Sequence, residues 1–446
     1  MSKNWKRVPI ENVYVALYDG PHATPKPSSE GPVFLGIKNV TEDGKLDLSE
    51  IRHIAEEDFP QWTRRVVPKP GDIVFTYEAT LNRYAIIPRG FRGCLGRRLA
   101  LIRPHPEKIN PTFLFYYFFG EDWRTTIAQN ILSGSTVDRI PLISFPSFEI
   151  SVPPLPTQHK ISAILSAYDD LIENNTRRIA ILEEMAQAIY QEWFVRFRYP
   201  GHEQDELVES ELGMVPEGWK VVRFTQGVEI DPYTKVSKEN EKPFVPMESL
   251  SNNSMVIESS EYRLGNSGSK FKNGDTLFAR ITPCIENGKT GYVQFLSTED
   301  DVALGSTEFI VLRSKTLCPE FVYLIARSDE LRNHAIKSMS GSSGRQRVQK
   351  VCFDSFWIVH PNSESLMQFR EIVTPLFRSI HMLVKSNKNL CYTRDLLLPK
   401  LISGEIDVAS LNIDIPNMPE PAQQQDTPMA TQPAPIDAEQ LALPLF

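Results

Sequence analysis

The sequence lacks the features that identify membrane, disulfide-bonded and metal-binding proteins. Its most apolar stretch, FLFYYFF at Phe113–Phe119, is too short to span a bilayer, and the start MSKNWKRVPI has no hydrophobic signal region. The five cysteines are scattered without a C-x-x-C pair, and the eight histidines are isolated from one another. We therefore expect no disulfide, no metal site and no membrane association, and a location in the reducing cytoplasm.

A catalytic motif is also missing. NGKT at 287–290 ends like a phosphate-binding loop, but Pro283 stands where that loop requires glycine. PGD at 70–72 is followed by YEAT, which completes no acid-acid-lysine nuclease motif. NPTF at 110–113 resembles the short loop of amino-methyltransferases, but no glycine-rich cofactor motif precedes it, so we interpret it as a helix start. These absences predict a chain that is not an enzyme.

The charge is unevenly distributed along the 446 residues, although the net charge is −8. Residues 405–446 hold seven acids and residues 203–211 hold five, and neither segment contains Lys or Arg. Residues 61–103, in contrast, hold nine basic residues against two acids, and residues 327–350 hold six against two. Basic clusters of this kind are typical of a polyanion partner, and an ordinary solvated surface is the alternative interpretation.

Six collinear pairs of segments indicate that the chain is a duplicated unit. Examples are KPGDIVF at 69–75 with KNGDTLF at 272–278, and FPSFEISVP at 145–153 with FDSFWIVHP at 353–361. In each copy short β-rich runs precede an aromatic helix, a polar loop, a short strand and a long helix. This order predicts a mixed α/β (α+β) fold with two tandem β-rich domains, and hydrophobic content of 41% is enough for real cores.

Two long helices are predicted after the copies, beginning near Thr157 and near Ser363–Gln368, where Ser365 and Gln368 form a candidate capping box. Their apolar stripes are longer than those of ordinary globular helices, which favours an antiparallel coiled coil with pseudo-two-fold symmetry. Pro375 and Pro399 are expected to kink or end the second helix. The alternative is that each helix simply covers its own domain. The residues predicted for the seam and for partner docking are Ile172, Asn175, Ile179, Leu182, Ile189, Leu376, Leu383, Asn387, Leu390 and Leu397.

A polar loop containing Ser-Gly-Ser occurs at the same place in both copies. Glycine permits close backbone approach, hydroxyls donate to phosphate oxygens, and arginine recognises phosphate or guanine. An ordinary turn before a strand is the alternative. The candidate DNA-binding residues are Ser133, Gly134, Ser135, Thr136, Arg139, Arg64, Arg65, Arg97 and Arg98 in the first copy, and Ser340, Gly341, Ser342, Ser343, Arg345 and Arg347 in the second.

With these segments in view, the chain resembles the DNA-specificity subunit of bacterial Type I restriction-modification systems. The resemblance covers Trp5 to about Val408 and is most specific in PPLPTQHKISAILSAYDDLIENNTRRIAILEEMAQAIYQEWF and TRDLLLPKLISGEIDV. It implies two target-recognition domains that read the halves of a split site in double-stranded DNA. It also implies two modification (methyltransferase) subunits and restriction subunits as partners. S-adenosylmethionine, Mg and ATP are then expected on those partners, and no cofactor is expected in this chain.

The resulting domain prediction places the two target-recognition domains at residues 1–157 and 214–362. Spacer helices are predicted at 158–199 and 363–404, an acidic linker at 200–213, and a disordered tail rich in Pro and Gln at 405–446. The final LALPLF is either a docking peptide or ordinary tail. Two competing functions remain: a coiled-coil scaffold that recruits partners without reading DNA, and an RNA-binding protein, for which no aromatic RNA-binding strand motif is found.

Overall fold

The computed structural model describes residues 5–133, 137–259, 261–342 and 344–413. Two compact units divide the chain: unit 1 comprises Met1–Ala163 with Leu401–Phe446, and unit 2 comprises Ile164–Lys400. Each unit contains one copy of the repeat. The predicted tail is described only as far as residue 413, and the segment LALPLF lies outside the described residues.

Unit 1 is built on a four-stranded antiparallel sheet whose strands lie in the order Tyr14–Asp19, Leu99–Pro104, Ile73–Thr76 and Tyr84–Ile86. All four residues of Ile73–Thr76 are buried, as its apolar sequence predicts. The remaining strands form a mixed sheet of Arg52–His53, Ser28–Leu35 and Gly93–Leu95, the pair Lys6–Pro9 with Glu149–Val152, and a hairpin of Leu132–Ser133 with Asp138–Arg139. Its α-helices are Phe59–Trp62, Pro111–Tyr117 and Glu121–Gln129, followed by the start of Leu155–Tyr190.

Aromatic side chains fill the core of unit 1. The Phe75 ring stacks on Phe145 with 5.0 Å between centroids, and the Trp123 indole donates a hydrogen bond to the buried Tyr84 hydroxyl at 2.9 Å. The prediction that NPTF starts a helix is confirmed, because the Asn110 side chain accepts a hydrogen bond from the Phe113 amide at 3.0 Å.

Unit 2 repeats this topology. Its four-stranded sheet has the order Val228–Ile230, Phe309–Ser314, Thr276–Ala279 and Thr290–Tyr292, so the strands are connected in the same sequence order as in unit 1. The other strands form a mixed sheet of Glu261–Arg263, Lys242–Val245, Ala303–Gly305 and Ser269–Phe271, the pair Lys220–Arg223 with Trp357–His360, and a hairpin of Leu207–Ser210 with Gly213–Pro216. The α-helices are Phe224–Gly227, Pro319–Ala326, Asp329–Lys337, Cys352–Ser355 and Ser363–Ile402. The Leu207–Pro216 hairpin begins within the segment predicted as an acidic linker.

The glycine-aspartate pair of the repeated GD motif has a structural role in both units. Gly71 and Gly274 both have a backbone φ of +88°, which favours glycine. The next residue, Asp72, is almost fully buried, and its carboxylate accepts two hydrogen bonds from Arg103 at 2.9 and 2.7 Å. Asp275 accepts the equivalent pair from Arg313 at 2.7 and 2.6 Å.

These ion pairs join neighbouring strands of the core sheet, and the carboxylates also accept the backbone amides of Lys69 and Lys272. Pairing with Asp72 raises the pKa of the Arg103 guanidinium, and Asp275 does the same to Arg313. The motif therefore anchors the sheet in each unit.

The two long helices, called spacer helices 1 and 2, are Leu155–Tyr190 and Ser363–Ile402. A π-helical turn, Gln191–Val195, follows spacer helix 1. Thr157 as N-cap of spacer helix 1, and Ser365 with Gln368 as capping box of spacer helix 2, are wrong predictions. Spacer helix 1 begins two residues before Thr157, and the Asn362 side chain caps spacer helix 2 by accepting the Ser365 amide at 2.8 Å. Of the two alternatives expected for Pro375 and Pro399, that they end spacer helix 2 is wrong, because the helix runs through both positions.

Within unit 2 the spacer helices run antiparallel, as predicted. Arg394 donates to Asp169 at 2.6 Å, and the side chains of Asn175 and Asn387 are hydrogen-bonded at 2.9 Å. The Trp193 and Phe369 rings lie 5.9 Å apart. In these three contacts the residue number on spacer helix 2 decreases as the residue number on spacer helix 1 increases. The helices are therefore antiparallel, and the contacts define their register.

Candidate nucleic-acid interface

In unit 1 the polar loop connects the antiparallel strands Leu132–Ser133 and Asp138–Arg139. Its residues Gly134, Ser135 and Thr136 lie outside the described part of the chain. The Ile140 amide donates to the Tyr77 carbonyl at 2.7 Å, and the Ala79 amide donates to the Asp138 carbonyl at 3.0 Å. Main-chain hydrogen bonds therefore hold the hairpin against the end of the core strand Ile73–Thr76.

The polar loop of unit 2 is held in the same way. Ser340 and Arg347 exchange backbone hydrogen bonds of 3.1 and 2.9 Å, with Gly341 and Ser342 exposed at the tip and Ser343 outside the described residues. The Val348 amide donates to the Arg280 carbonyl at 2.8 Å, and the Thr282 amide donates to the Gln346 carbonyl at 3.1 Å.

A third hydrogen bond completes the equivalence between the two sites. The Tyr77 amide donates to the Arg98 carbonyl at 3.2 Å, and the Arg280 amide donates to the Glu308 carbonyl at 3.0 Å. In each unit the loop hairpin, the end of one core strand and the turn before another therefore meet at one place. We call this place the hairpin junction.

The charged side chains at the two junctions differ although the backbones correspond. In unit 1 Glu78 pairs with Arg98, with 2.9 Å between Oε1 and Nε, while Arg97 and Arg139 are exposed. In unit 2 the carboxylate belongs to Glu308, which occupies the position equivalent to Arg98.

Arg347 forms hydrogen bonds to both carboxylate oxygens of Glu308, at 2.9 Å from Nε to Oε2 and 2.7 Å from Nη2 to Oε1, while Arg345 is exposed. This pairing raises the pKa of the Arg347 guanidinium. Each junction thus presents a different arrangement of donors and acceptors on the same frame, with the exposed arginines available to a polyanion.

Two further predicted residues, Arg64 and Arg65, are exposed. Arg65 donates to the backbone carbonyls of Asp19 and Gly20 at 3.3 and 3.1 Å. Asp19 also lies beside Tyr77, where burial and the Asp19 carboxylate raise the pKa of the tyrosine hydroxyl. Arg65 therefore borders the unit 1 junction. Contact between these residues and DNA stays a prediction.

The predicted seam residues face inward. Ile179 is buried, and Leu182, Ile189, Leu376 and Leu383 pack partly buried against the core of unit 2. Ile172, Leu390 and Leu397 are half-buried, and Asn175 is buried with its amide bonded to Asn387. Large apolar side chains on the exposed helix faces are Leu171, Ile181, Met185, Met367, Ile372, Met382, Tyr392 and Leu396. Sequence periodicity located the buried stripe and missed this exposed set.

The described ranges show neither a cluster of metal ligands nor a membrane-spanning helix. No three His, Cys, Asp or Glu side chains converge there as metal ligands would. None of the helices in those ranges has the length and apolar composition that crossing a bilayer requires.

The chain is similar to known DNA specificity proteins. Residues 37–184 match the family model of the Type I restriction modification DNA specificity domain. The MjaIX specificity subunit of Methanocaldococcus jannaschii, a Type I restriction enzyme subunit, is 27% identical over 81% of this chain and 83% of its own length. Over most of its length the chain is thus similar to Type I restriction enzyme specificity subunits. The HindI specificity subunit of Haemophilus influenzae is 22% identical over 84% of this chain and 94% of its own length.

A solved specificity subunit has the same fold. The crystal structure of the Type I S subunit from M. genitalium superposes with a TM-score of 0.54 at 14% identity, covering 90% of this chain and 97% of that one. The prediction of a mixed α/β fold is confirmed. A specificity subunit provides DNA specificity and no catalytic reaction, so the prediction of a non-catalytic subunit is also confirmed.

Proposed function

We propose that this specificity subunit reads a bipartite site in double-stranded DNA, with one half read at the hairpin junction of each unit. The observation that carries the proposal is the repetition of three backbone hydrogen bonds at two junctions whose side chains differ. A fixed frame with exchanged side chains suits the recognition of two different half-sequences, because base identity is read by side-chain donors and acceptors in the groove.

The exposed arginines supply the remaining chemistry. Arg139 and Arg345 can contact phosphate or the two acceptors of guanine, and the serines of the polar loops can donate to phosphate oxygens. Phosphate contacts position a protein on the duplex and make its affinity depend on salt.

We further infer that the partners are two methyltransferase subunits and the restriction subunits of the same system. S-adenosylmethionine would bind the methyltransferase subunits, and Mg and ATP would bind the other partners. The exposed apolar residues on the spacer helices, such as Ile181 and Met185, give such partners a surface to bury. We propose a cytoplasmic location for the complex, which the five free cysteines and a DNA target support.

The decisive experiment exchanges residues 1–157 for the equivalent region of a relative with a different target, with all other subunits unchanged. Methylome sequencing should show that one half of the methylated site changes while the other half and the system's methylation activity persist. A change in both halves, or in neither, would refute the assignment of one half-site to each unit. Loss of this gene without loss of a bipartite methylation pattern would support the scaffold alternative.

Single substitutions test the junctions themselves. Arg139→Ala and Arg345→Ala should weaken DNA binding by the assembled complex and each should lower the salt slope by about one unit, as expected for one lost phosphate contact. Arg177→Ala is a matched control, because Arg177 is exposed on spacer helix 1 and pairs with Glu173. Unchanged affinity and slope in both junction variants would make the loops ordinary turns.

A further inference from the structure

Two aliphatic side chains project into solvent at equivalent positions of the two units. Ile143 is 93% exposed and Val351 is 70% exposed. Ile143 follows Arg139 by four residues, and Val351 follows Arg347 by four residues, so both stand immediately after a hairpin junction. Single exposed apolar residues are common on protein surfaces, but the same position in two copies that differ elsewhere calls for a physical reason.

The local backbone presents both residues in the same way. The Ser144 amide donates to the Pro141 carbonyl at 3.1 Å, and the Cys352 amide donates to the Gln349 carbonyl at 2.9 Å. Each bond closes a four-residue turn, and Ile143 or Val351 is the third residue of that turn. We call these two side chains the turn tips.

Buried residues hold the turns on both sides. Ile140 and Phe145 flank the first tip at 1% and 0% exposure, and Val348 and Phe353 flank the second at 0% each. With both ends fixed in the core, a tip cannot fold inward to hide its methyl groups. The exposure is therefore imposed by the same packing that positions the junction.

The surroundings of Val351 combine apolar, aromatic and charged groups. It lines an open groove of about 540 Å³ together with Tyr233, which is 90% exposed, and Lys350, which pairs with Asp231. The aliphatic tip and the exposed aromatic ring lie on one surface next to the hairpin junction, and the carboxylates of Glu229 and Asp354 line the same groove. Aromatic and aliphatic groups pack against bases, and lysine contacts phosphate.

We propose that Ile143 and Val351 are apolar specificity-determining residues, each packing against a base edge in its own half-site, such as the methyl group of thymine. The inference rests on the proposed function, because it needs the junctions to face DNA. An aliphatic group that packs on a thymine methyl gains free energy which a base without that methyl cannot supply. The tips thus add an apolar component to recognition beside the arginines.

The test uses Ile143→Thr and Val351→Thr, which keep the β-branched shape and add a hydroxyl. Both residues are exposed, so the thermal stability of the chain should stay unchanged. Val15→Thr and Leu264→Thr are the controls, because these aliphatic residues are 59% and 66% exposed in units 1 and 2. Fluorescence anisotropy would measure binding of the complex with its methyltransferase subunits to two duplexes. One carries the site that methylome sequencing defines, and the other has a scrambled sequence.

We expect each tip variant to weaken binding to the specific duplex about fivefold to thirtyfold, the range of one lost base contact. Binding to the scrambled duplex and the salt slope should not change, because no charge is removed. Base changes in one half-site should be tolerated better by Ile143→Thr, and changes in the other half by Val351→Thr.

Three results would overturn the inference. If the wild-type complex prefers the specific duplex and neither tip variant changes that preference, the tips take no part in recognition and the proposed function still stands. Loss of methyltransferase subunits from the tip variants, with normal DNA affinity in the remaining complex, would make the tips a protein contact. A wild-type complex that binds both duplexes equally would refute the proposed function as well.

Discussion

The side-chain amide of Asn175 donates a hydrogen bond to the side-chain oxygen of Asn387, joining the two spacer helices at 2.9 Å. The Asn387 amide donates in turn to the Thr176 hydroxyl at 3.2 Å and to the Ile172 carbonyl at 3.3 Å. A polar pair between two otherwise apolar stripes is satisfied only in this register, since a shifted helix would leave both amides without partners.

This pair predicts opposite effects for single and double substitutions. Asn175→Leu leaves the side-chain oxygen of Asn387 without its donor and should cost about 1–3 kcal/mol of stability. Asn175→Leu with Asn387→Leu replaces both partners by apolar groups and should recover most of that loss. Thermal unfolding of the three variants measures the effect. Losses that simply add in the double variant would mean that the two asparagines act independently.

The buried ion pairs of the GD motifs predict damage confined to one unit. Asp275→Asn leaves Arg313 without its charge partner and should destabilise unit 2 by about 3–5 kcal/mol. Amide hydrogen exchange should then accelerate in the strand Thr276–Ala279 and stay unchanged in Ile73–Thr76 of unit 1. Asp300→Asn is the control, because Asp300 is exposed. Equal acceleration in both units would show that their cores unfold together.

Glu183 predicts a pH dependence. It lies on spacer helix 1 and accepts hydrogen bonds from the Ser254 hydroxyl at 2.7 Å and the Met255 amide at 2.9 Å. Burial raises the pKa of its carboxyl above the ordinary value of 4.5. The neutral carboxyl therefore contributes its full stabilisation below pH 4.5. This contribution is lost as the pH rises through the raised pKa.

Glu183→Gln keeps an oxygen acceptor and removes this titration. The free energy of unfolding of the Gln variant, minus that of the wild type, should increase as the pH rises from 4.5 toward neutrality. Urea unfolding at several pH values measures the difference. Glu183→Ala should be about 1 kcal/mol less stable than Glu183→Gln at every pH, through the missing hydrogen bonds. A Gln-minus-wild-type difference that is constant with pH would contradict the raised pKa.

The exposed and buried faces of spacer helix 1 predict separable effects. Ile181→Asp with Met185→Asp changes side chains that are 54% and 47% exposed, so thermal stability should change little. Methyltransferase subunits should no longer copurify, because two charges would have to be buried in their interface. Leu182→Asp is the matched inward substitution and should lower stability by several kcal/mol. Full copurification with the double variant would exclude this face as a docking surface.

The sequence was informative where a pattern is local. The repeated segments predict the duplicated topology, and the three-four spacing predicts the paired spacer helices and their asparagines. Asp72 was not recognised as an ion-pair partner, because Arg103 lies 31 residues away and only sheet pairing brings the two together.

The features that the sequence did not predict correctly also have physical causes. Spacer helix 2 continues through Pro375, since packing of a long helix can offset one missing hydrogen bond. Exposed apolar residues such as Met185 and Ile143 follow no periodic signal that distinguishes them from interior ones, so only their measured exposure reveals them.

Main-chain hydrogen bonds determine the geometry of each hairpin junction, and side chains determine its chemistry. Arg98 and Glu308 occupy equivalent places with opposite charge, yet the carbonyl of each accepts the same hydrogen bond. A point mutation at such a place alters what the surface presents without disturbing how the loop is held. The DNA sequence preference can therefore change in evolution through single substitutions at the junction, while the loop keeps its conformation.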